Sequence, residues 1–332
     1  MPYTRVSKKP EGQPTRGKTA SNRLRRVDNF ILLYEPSLLT RTDGLFADSL
    51  FVDLGYGFDA RTTFESAARF RRVNPELKIL GVEIEKERVE AALPYADEKT
   101  FFRLGGFNLP LKEGEHVRLI RAFNVLRQYE EKDFIPAYER LAQYVLPDGL
   151  MIEGTSNPFG SIWCANVGRR TNPEHVILSA ATLPGTARQG KCAPHDLLSK
   201  SSAGENLESQ STQTLQSPLS GPLTPPRRPS GGVTNEWDFE ALVFSTNFRM
   251  GFDIEEFQTI LPKNLIHHVL PGEPIYDFFE AWKQSAAEMA GMKTYGPKQW
   301  FIAAAERLAE QGYAVAAQRK WLTKGFLIWK LE

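Results

Sequence analysis

Two acidic residues and two glycines follow predicted strands in a pattern that suits a nucleoside ligand. Asp53, Gly55 and Gly57 come after the apolar run Leu50–Val52. Glycines at such a turn let the backbone approach a ligand closely, and the next helix offers free N–H groups. Glu83 ends a second apolar run, where a carboxylate can accept hydrogen bonds from both hydroxyls of a ribose. The sequence therefore predicts one nucleoside site built from both segments.

A regular alternation of strands and helices must position these residues. Apolar runs predict strands at Leu50–Val52, Lys78–Glu83, Phe101–Leu104, Val117–Ala122 and Leu150–Gly154. Helical periodicity predicts helices at Val27–Leu39, Arg61–Val73 and Lys86–Leu93, and one whose apolar stripe covers residues 134–145. Repeated β–α units of this kind predict an α/β fold with a mainly parallel, Rossmann-like sheet flanked by helices.

The second half of the chain is less regular. It contains predicted strands at Ile162–Val167, His175–Ala180 and Trp237–Phe248, and a predicted helix around residues 301–308. Near the end, Ala314–Val315 and Phe326–Trp329 resemble the two strands of an antiparallel hairpin. The tryptophans of this half are more often core residues than the lining of a ligand cavity.

Composition divides the chain into four segments. Residues 1–26 carry eight basic residues against one acid and predict a flexible basic arm, which is either a solvated tail or an attraction for RNA phosphates. Residues 188–235 lack aromatic residues and are rich in Ser, Pro and Thr, which predicts a disordered insertion. Residues 27–187 are then the Rossmann-like core, and residues 236–332 complete the same domain.

The composition of the whole chain excludes some classes of protein. Its 332 residues carry 41 basic and 40 acidic side chains, so net charge alone indicates neither a nucleic acid nor a membrane as partner. Cys164 and Cys192 form no metal-ligand pattern, so we expect a reducing compartment and no metal. Because no apolar run reaches the roughly 18 residues that span a bilayer, we expect a cytoplasmic protein.

The glycine turn resembles the first motif of the class I S-adenosylmethionine-dependent methyltransferases, which has the acid-x-Gly-x-Gly form seen here at residues 53–57. Glu83 matches that family's ribose-binding acid, and the likeness extends over residues 45–157 in its order of strands and helices. The terminal hairpin is similar to that family's antiparallel sheet edge. The resemblance implies S-adenosylmethionine as cofactor. The residues that it implies at the amino acid part and at the ribose and adenine are Asp53, Gly55, Tyr56, Gly57, Glu83 and Ile84.

One feature of the family is missing after the third strand. The position that usually carries an acid near the adenine lies here in Leu104-Gly105-Gly106-Phe107-Asn108. The backbone amides of Gly106 and Phe107, together with the aromatic face, can supply equivalent contacts to adenine. The chain also resembles a bacterial subgroup of the superfamily, of unassigned substrate, at residues 22–28 and 124–129.

Candidate catalytic residues follow the fourth and fifth strands. Direct displacement from a sulfonium requires alignment of the nucleophile and, for some acceptors, removal of a proton. Asn124 can orient a nucleophile and Arg127 can hold an anionic substrate, although both can equally cap a helix and face solvent. Glu153, at the end of the fifth strand, is a candidate base or a partner in an ion pair. The methyl acceptor, a small molecule or RNA, is not predicted.

Two alternatives stay open at this point. Gly55-x-Gly57-x-x-Ala60 also satisfies the looser dinucleotide fingerprint of an NAD(P)-dependent oxidoreductase. The acid at position 53 and the predicted terminal hairpin argue against it. A noncatalytic RNA-binding protein on the same fold is the second alternative, and its main support is the basic arm.

Overall fold

The computed structural model describes residues 9–15, 20–172 and 236–331. The predicted strand His175–Ala180 and the predicted insertion at residues 188–235 lie outside these ranges. Among the described residues, no helix is long and apolar enough to cross a membrane, and no group of three or more His, Cys, Asp or Glu side chains is placed to hold a metal ion.

Eight strands form one sheet in the order β3-β2-β1-β4-β5-β6-β7-β8. The pairs β1–β2, β2–β3, β1–β4 and β4–β5 are parallel, and the pairs β5–β6, β6–β7 and β7–β8 are antiparallel. The strands are β1 Leu50–Leu54, β2 Ile79–Glu83, β3 Thr100–Leu104, β4 Val117–Phe123, β5 Val145–Ser156, β6 Ile162–Arg170, β7 Trp237–Thr246 and β8 Phe326–Lys330. This arrangement confirms the predicted Rossmann-like fold with antiparallel strands at its C-terminal end.

Ten α-helices accompany the described part of the sheet. They are α1 Arg25–Tyr34, α2 Pro36–Thr40, α3 Arg61–Phe70, α4 Lys86–Ala92, α5 Phe134–Ala142, α6 Ile254–Gln258, α7 Lys263–Ile266, α8 Pro274–Glu288, α9 Pro297–Glu310 and α10 Arg319–Leu322. Short 3-10 helices lie at Gly44–Phe46, Leu93–Tyr95, Leu126–Gln128, Glu131–Asp133 and Ala290–Tyr295. Proline occupies the first turn of α2, α8 and α9, where its missing N–H leaves no hydrogen bond unmade.

Apolar side chains fill both faces of the sheet because strand residues alternate between them. On β5, Ile152 packs in the cluster that includes α1 and α3, whereas Met151 packs in the cluster that includes α5. A third cluster joins β6 and β7 to α8 and α9. Here Phe244, Phe278 and Trp282 are buried with ring centroids 5.4–5.9 Å apart. Helix α8, which the periodicity left unpredicted, therefore supplies much of the aromatic core.

The terminal hairpin differs from its prediction in detail. Phe326–Lys330 is a strand as expected, but its ladder partner is β7, where Ser245 is paired with Phe326. Val315 makes a single antiparallel bridge to Trp329. The segment Ala314–Val315 is thus an edge contact and not a strand, with two backbone hydrogen bonds beside it, from the Lys330 N–H to the Ala314 oxygen and from the Ala316 N–H to the Ile328 oxygen.

The predicted basic arm makes specific contacts with the core at several of its described residues. Helix α1 begins at Arg25, inside the predicted arm. Arg26 donates to the Ser245 hydroxyl, at 2.8 Å from Nη2, and to the backbone oxygen of Lys324 at 2.7 Å. Burial lowers the pKa of Arg26 to about 10. At Arg23 and Arg26 the structure differs from a solvated tail, because these two guanidinium groups bind the folded core.

Candidate functional site

The carboxyl ends of β1, β2 and β4 lie side by side at the point where the strand order reverses. Strand β1 is flanked by β2 on one side and β4 on the other, so the chain leaves β1 for one edge and later returns to the opposite side. In open parallel sheets this switch point leaves a crevice in which ligands bind. The predicted nucleoside residues lie at this crevice.

The turn after β1 needs its two glycines. Gly55 and Gly57 have φ angles of +67° and +87°, a region that glycine adopts without steric cost. A Cβ on Gly55 would lie 2.7 Å from the Val125 side chain and 3.2 Å from that of Thr15. Any other residue at position 55 would therefore have a strained backbone and would clash with the Val125 side chain.

The ribose-binding acid predicted on β2 is held by backbone amides. The Gly57 N–H donates to Glu83 Oε2 at 3.1 Å, and the Ile84 N–H donates to Oε1 at 2.9 Å. Arg88 Nη1 lies 3.5 Å from the same carboxylate. Only 1% of Glu83 is exposed. The Glu83 carboxylate is thus fixed against the glycine turn. This matches the prediction that both segments form one nucleoside site.

Two clefts open at this edge. The first cleft has among its lining Gly55, Glu83, Ile84, Gly106 and Phe107, which are five of the predicted cofactor residues. The second cleft is lined by residues on the other side of the turn, with the loop after β4. These are Thr15, Arg23, Leu24, Asp53, Leu54, Gly55, Tyr56, Gly57, Thr62, Phe123 and Asn124. The structure thereby brings all eight predicted cofactor residues to one edge.

Asp53 takes part in a buried charge network beneath the turn. Its carboxylate accepts hydrogen bonds from Thr62 and Thr63 at 2.9 and 2.8 Å, and pairs with Arg121 Nη2 at 2.9 Å. Arg121 also pairs with Asp28 of α1. These partners hold the Asp53 carboxylate against the turn and the start of α3, and its predicted contact with a cofactor stays a prediction.

Asn124 joins β4 to β5 at the floor of the second cleft. It has a φ of +60°, its Nδ2 lies 3.3 Å from the Ser156 hydroxyl, and its Oδ1 accepts the Ser156 N–H at 3.1 Å. Arg23 contacts the same strand end through Nε and Nη2, which donate to oxygens of Ser156 and Asn157 at 3.1–3.2 Å. Burial lowers the pKa of Arg23, and the charge of Arg127 lowers it further.

The structure places the other two candidate catalytic residues, Arg127 and Glu153, in different environments. Arg127 is exposed on the 3-10 helix after β4, with no hydrogen bond or ion pair to any described residue. Glu153 lies elsewhere, because β5 continues to Ser156 and Glu153 points toward α5 instead of the crevice. It is buried and accepts from Tyr138 at 3.2 Å and Asn166 at 3.1 Å. Burial raises the pKa of Glu153 to about 7.

Sequence reasoning missed a second set of residues at the clefts. Arg23, Thr15 and Tyr129 line them, and residues 11–13 of the predicted arm lie in the first cleft. Tyr129 gave a faint signal, because it ends the segment 124–129 in which the chain resembles a bacterial subgroup of the superfamily. The others lie far from the motif in sequence, and only the tertiary fold brings them to it.

Comparisons with known proteins give no sequence match and only weak structural matches. No protein-family model and no curated protein sequence matches the chain. Among solved structures, the plantazolicin methyltransferase BpumL in complex with SAH matches with a TM-score of 0.31 and 13% identity, over 41% of this chain and 49% of that one. Magnesium protoporphyrin IX methyltransferase from Synechocystis PCC 6803 matches with a TM-score of 0.29 and 17% identity, over 49% and 63%.

A pericyclic reaction enzyme matches with a TM-score of 0.27 and 13% identity, over 33% of this chain and 27% of that one. The chain spans about half the length of BpumL, the methyltransferase named above.

Proposed function

We propose that the chain is a methyltransferase that binds S-adenosylmethionine at the carboxyl edge of β1, β2 and β3. The observation that carries the proposal is the amide-held Glu83 carboxylate facing a glycine turn with left-handed residues at Gly55 and Gly57. A carboxylate and a glycine turn at one switch point are the two elements that a nucleoside with an amino acid chain requires.

The proposed cofactor contacts follow the two clefts. The adenine lies in the first cleft between Ile84 and Phe107, where the Phe107 amide replaces the acid missing from the family pattern. The ribose hydroxyls donate to Glu83. The amino acid part crosses Gly55 into the second cleft, where Arg23 Nη1, which has no hydrogen-bond partner among the described residues, is available for its carboxylate. When bound, the sulfonium supplies a methyl group for direct displacement.

The acceptor side of the proposed site is the loop after β4. Asn124 is held by Ser156 with its backbone in the left-handed region, so its position is fixed rather than mobile. Arg127 stands exposed near Arg23, and no described acid neutralises either guanidinium. This local excess of positive charge favours an acceptor that carries a carboxylate or phosphate. No general base is assigned, because Glu153 is enclosed away from both clefts.

Calorimetric titration with S-adenosylmethionine, S-adenosylhomocysteine (SAH) and NADH tests the cofactor. We expect binding of the first two, weakened about tenfold or more in Glu83→Gln because hydrogen bonds to ribose are lost. Glu87→Gln, an exposed substitution of the same kind on α4, should leave affinity unchanged. Binding of NADH alone would favour the oxidoreductase, and salt-dependent RNA binding without any cofactor would favour the noncatalytic alternative.

A radiolabelled methyl-transfer screen tests the acceptor. Carboxylated and phosphorylated small molecules are compared with their neutral esters, and RNA is included. We expect methylation of anionic acceptors, with a higher KM and a nearly unchanged kcat in Arg127→Gln. Equal use of the neutral esters would contradict the anionic acceptor and leave the cofactor proposal standing.

A further inference from the structure

The segment Lys9–Thr15, here called the strap, lies across both clefts. It is bound through its backbone to the loop after β3. The Phe107 N–H donates to the Glu11 oxygen at 2.9 Å, and the Glu11 N–H donates to Asn108 Oδ1 at 2.8 Å. Asn108 Nδ2 donates to the Lys9 oxygen at 2.8 Å. The strap therefore uses the amide that the proposed adenine contact needs.

Gly12 shows how far the strap enters the first cleft. A Cβ on Gly12 would lie 3.5 Å from Ile84 Cδ1, 3.7 Å from Phe107 Cε2 and 2.7 Å from the Tyr129 hydroxyl. A Cβ on Gly106 would lie 1.9 Å from the Glu11 oxygen. The strap backbone thus lies between the side chains that would hold adenine, and the absence of a side chain at Gly106 lets it come that close.

Anchors outside the proposed cofactor contacts hold the strap at both ends. Glu11 pairs with Arg140 of α5 through two bonds of 3.1 Å. At the far end, Arg88 donates to the Thr15 hydroxyl and to its backbone oxygen, both at 3.0 Å. Between them, the Tyr129 hydroxyl accepts the Gln13 N–H, and Gln128 donates to the Gln13 oxygen at 2.9 Å. These contacts are specific enough to define one docked position.

We propose that the strap is a built-in competitor of the cofactor. Its backbone occupies the place of the adenine, so that S-adenosylmethionine binds only when the strap has left the cleft. The proposal rests on the proposed function, because the competition concerns the same cleft. Docking lowers the apparent affinity for the cofactor by the fraction of molecules whose cleft is open. Any condition that weakens the strap anchors then raises cofactor affinity.

A charge exchange in the full chain tests the competition. Glu11→Arg and Arg140→Glu each break the outer anchor without changing a proposed cofactor-contact residue, and the double variant restores an ion pair. Calorimetry with SAH should show affinity at least about tenfold tighter in each single variant, and near wild type in the double variant. Glu113→Arg makes the same charge change on an exposed turn and should have no effect.

A second variant loosens the strap without changing charge. Gly12 has a φ of +136°, so Gly12→Val is strained and brings its Cβ against the Tyr129 hydroxyl. It should tighten SAH binding in the same direction as Glu11→Arg. In hydrogen exchange, the amides of Glu11 and Gln13 should lose protection at saturating SAH while the Phe107 amide stays protected.

The outcomes separate the two proposals. Tighter SAH binding in the single variants, reversed in the double variant, supports the strap as competitor. Unchanged or weaker SAH binding in the single variants would overturn the competition and leave the proposed cofactor site standing. Strap amides that stay protected from exchange when SAH is bound would do the same. Failure of SAH to bind wild type and every strap variant refutes the cofactor site and the competition with it.

Discussion

The two halves of the sheet bury different kinds of side chain. Beneath the carboxyl edge of the parallel half, Arg121 joins the carboxylates of Asp28 and Asp53, and all three side chains are at most 3% exposed. Beneath the antiparallel half, Trp282 and its neighbours form a continuous aromatic cluster. Buried charge imposes defined hydrogen-bond directions, whereas apolar burial is not directional. The half with directional bonds is the one that carries the candidate site.

This difference assigns distinct roles to the halves. The network of Asp28, Asp53 and Arg121 connects α1, β1 and β4, and through Thr62 and Thr63 it reaches the start of α3 directly after the glycine turn. It therefore fixes the geometry that a cofactor would meet. The aromatic half stabilises the sheet from the opposite end, and its side chains do not line either cleft.

The largest effect is expected from Arg121→Met. The substitution leaves two buried carboxylates without their shared cation, and breaking a buried pair costs about 3–5 kcal/mol. We expect a loss of unfolding free energy at the upper end of that range, together with weaker SAH binding. Urea unfolding and calorimetry measure the two. Arg72→Met, on an exposed side chain of similar length, should change stability by less than about 0.5 kcal/mol.

Trp282→Ala should cost nearly as much stability and leave the site untouched. Trp282 is fully buried and stacks on Phe257 with centroids 5.3 Å apart. Truncating such a residue to alanine costs about 3–5 kcal/mol. SAH affinity, measured where the variant is fully folded, should equal that of wild type. A large affinity loss there would contradict the division between the halves.

Glu153→Gln probes a buried group in the parallel half that lies outside the clefts. The pKa of Glu153 is raised by burial to about 7, so the folded protein retains its proton over a pH range in which the unfolded chain has lost it. The contribution of Glu153 to the free energy of unfolding is therefore fully present below pH 4.5, the ordinary pKa of a glutamate, and is lost as the pH rises through about 7. The loss is on the order of 3 kcal/mol.

Urea unfolding at pH 5 and pH 8 checks this prediction. Glu153→Gln should flatten the decline and be the more stable protein at pH 8. Glu87→Gln, on the surface of α4, should retain the wild-type decline. An unchanged slope in Glu153→Gln would assign the pH dependence to other groups.

The smallest effect is expected from Asn124→Ala. The change removes two hydrogen bonds to Ser156 and places alanine at a φ of +60°. We expect a loss of about 1 kcal/mol in unfolding free energy. Glycine adopts this backbone conformation without strain, so Asn124→Gly should lose less unfolding free energy, although it also lacks the hydrogen bonds to Ser156. Equal losses in the two variants would show that the side-chain bonds, and not the backbone, account for Asn124.

Local patterns predicted the parallel half well. Strands β1 to β5 are apolar runs, and each was expected within a few residues of its observed bounds, although β5 is longer at both ends. The cofactor residues could be proposed from the sequence because a turn and a strand end carry their signal locally, and their contacts with a cofactor stay predictions. Asn124 and Arg127 remain predictions, and Glu153 was placed at the crevice only because the end of β5 was set too early.

The rest depended on contacts distant in sequence. Arg121 sits inside an apolar strand, and nothing adjacent shows that Asp28 and Asp53 neutralise it. The strap lies within residues 1–26, whose basic composition predicted a flexible arm, yet the contacts of the strap are made largely by backbone atoms that composition does not describe. The pairing of β6 with β7 joins segments separated by 66 residues, so no local turn signalled it.

A crystal structure of the full chain grown with SAH would show whether the edge of β1, β2 and β3 binds S-adenosylmethionine. We expect adenine between Ile84 and Phe107, ribose hydroxyls on Glu83 and the Glu11 oxygen released from the Phe107 amide. SAH bound elsewhere, or a nicotinamide dinucleotide taking this cleft in its place, would contradict this expectation.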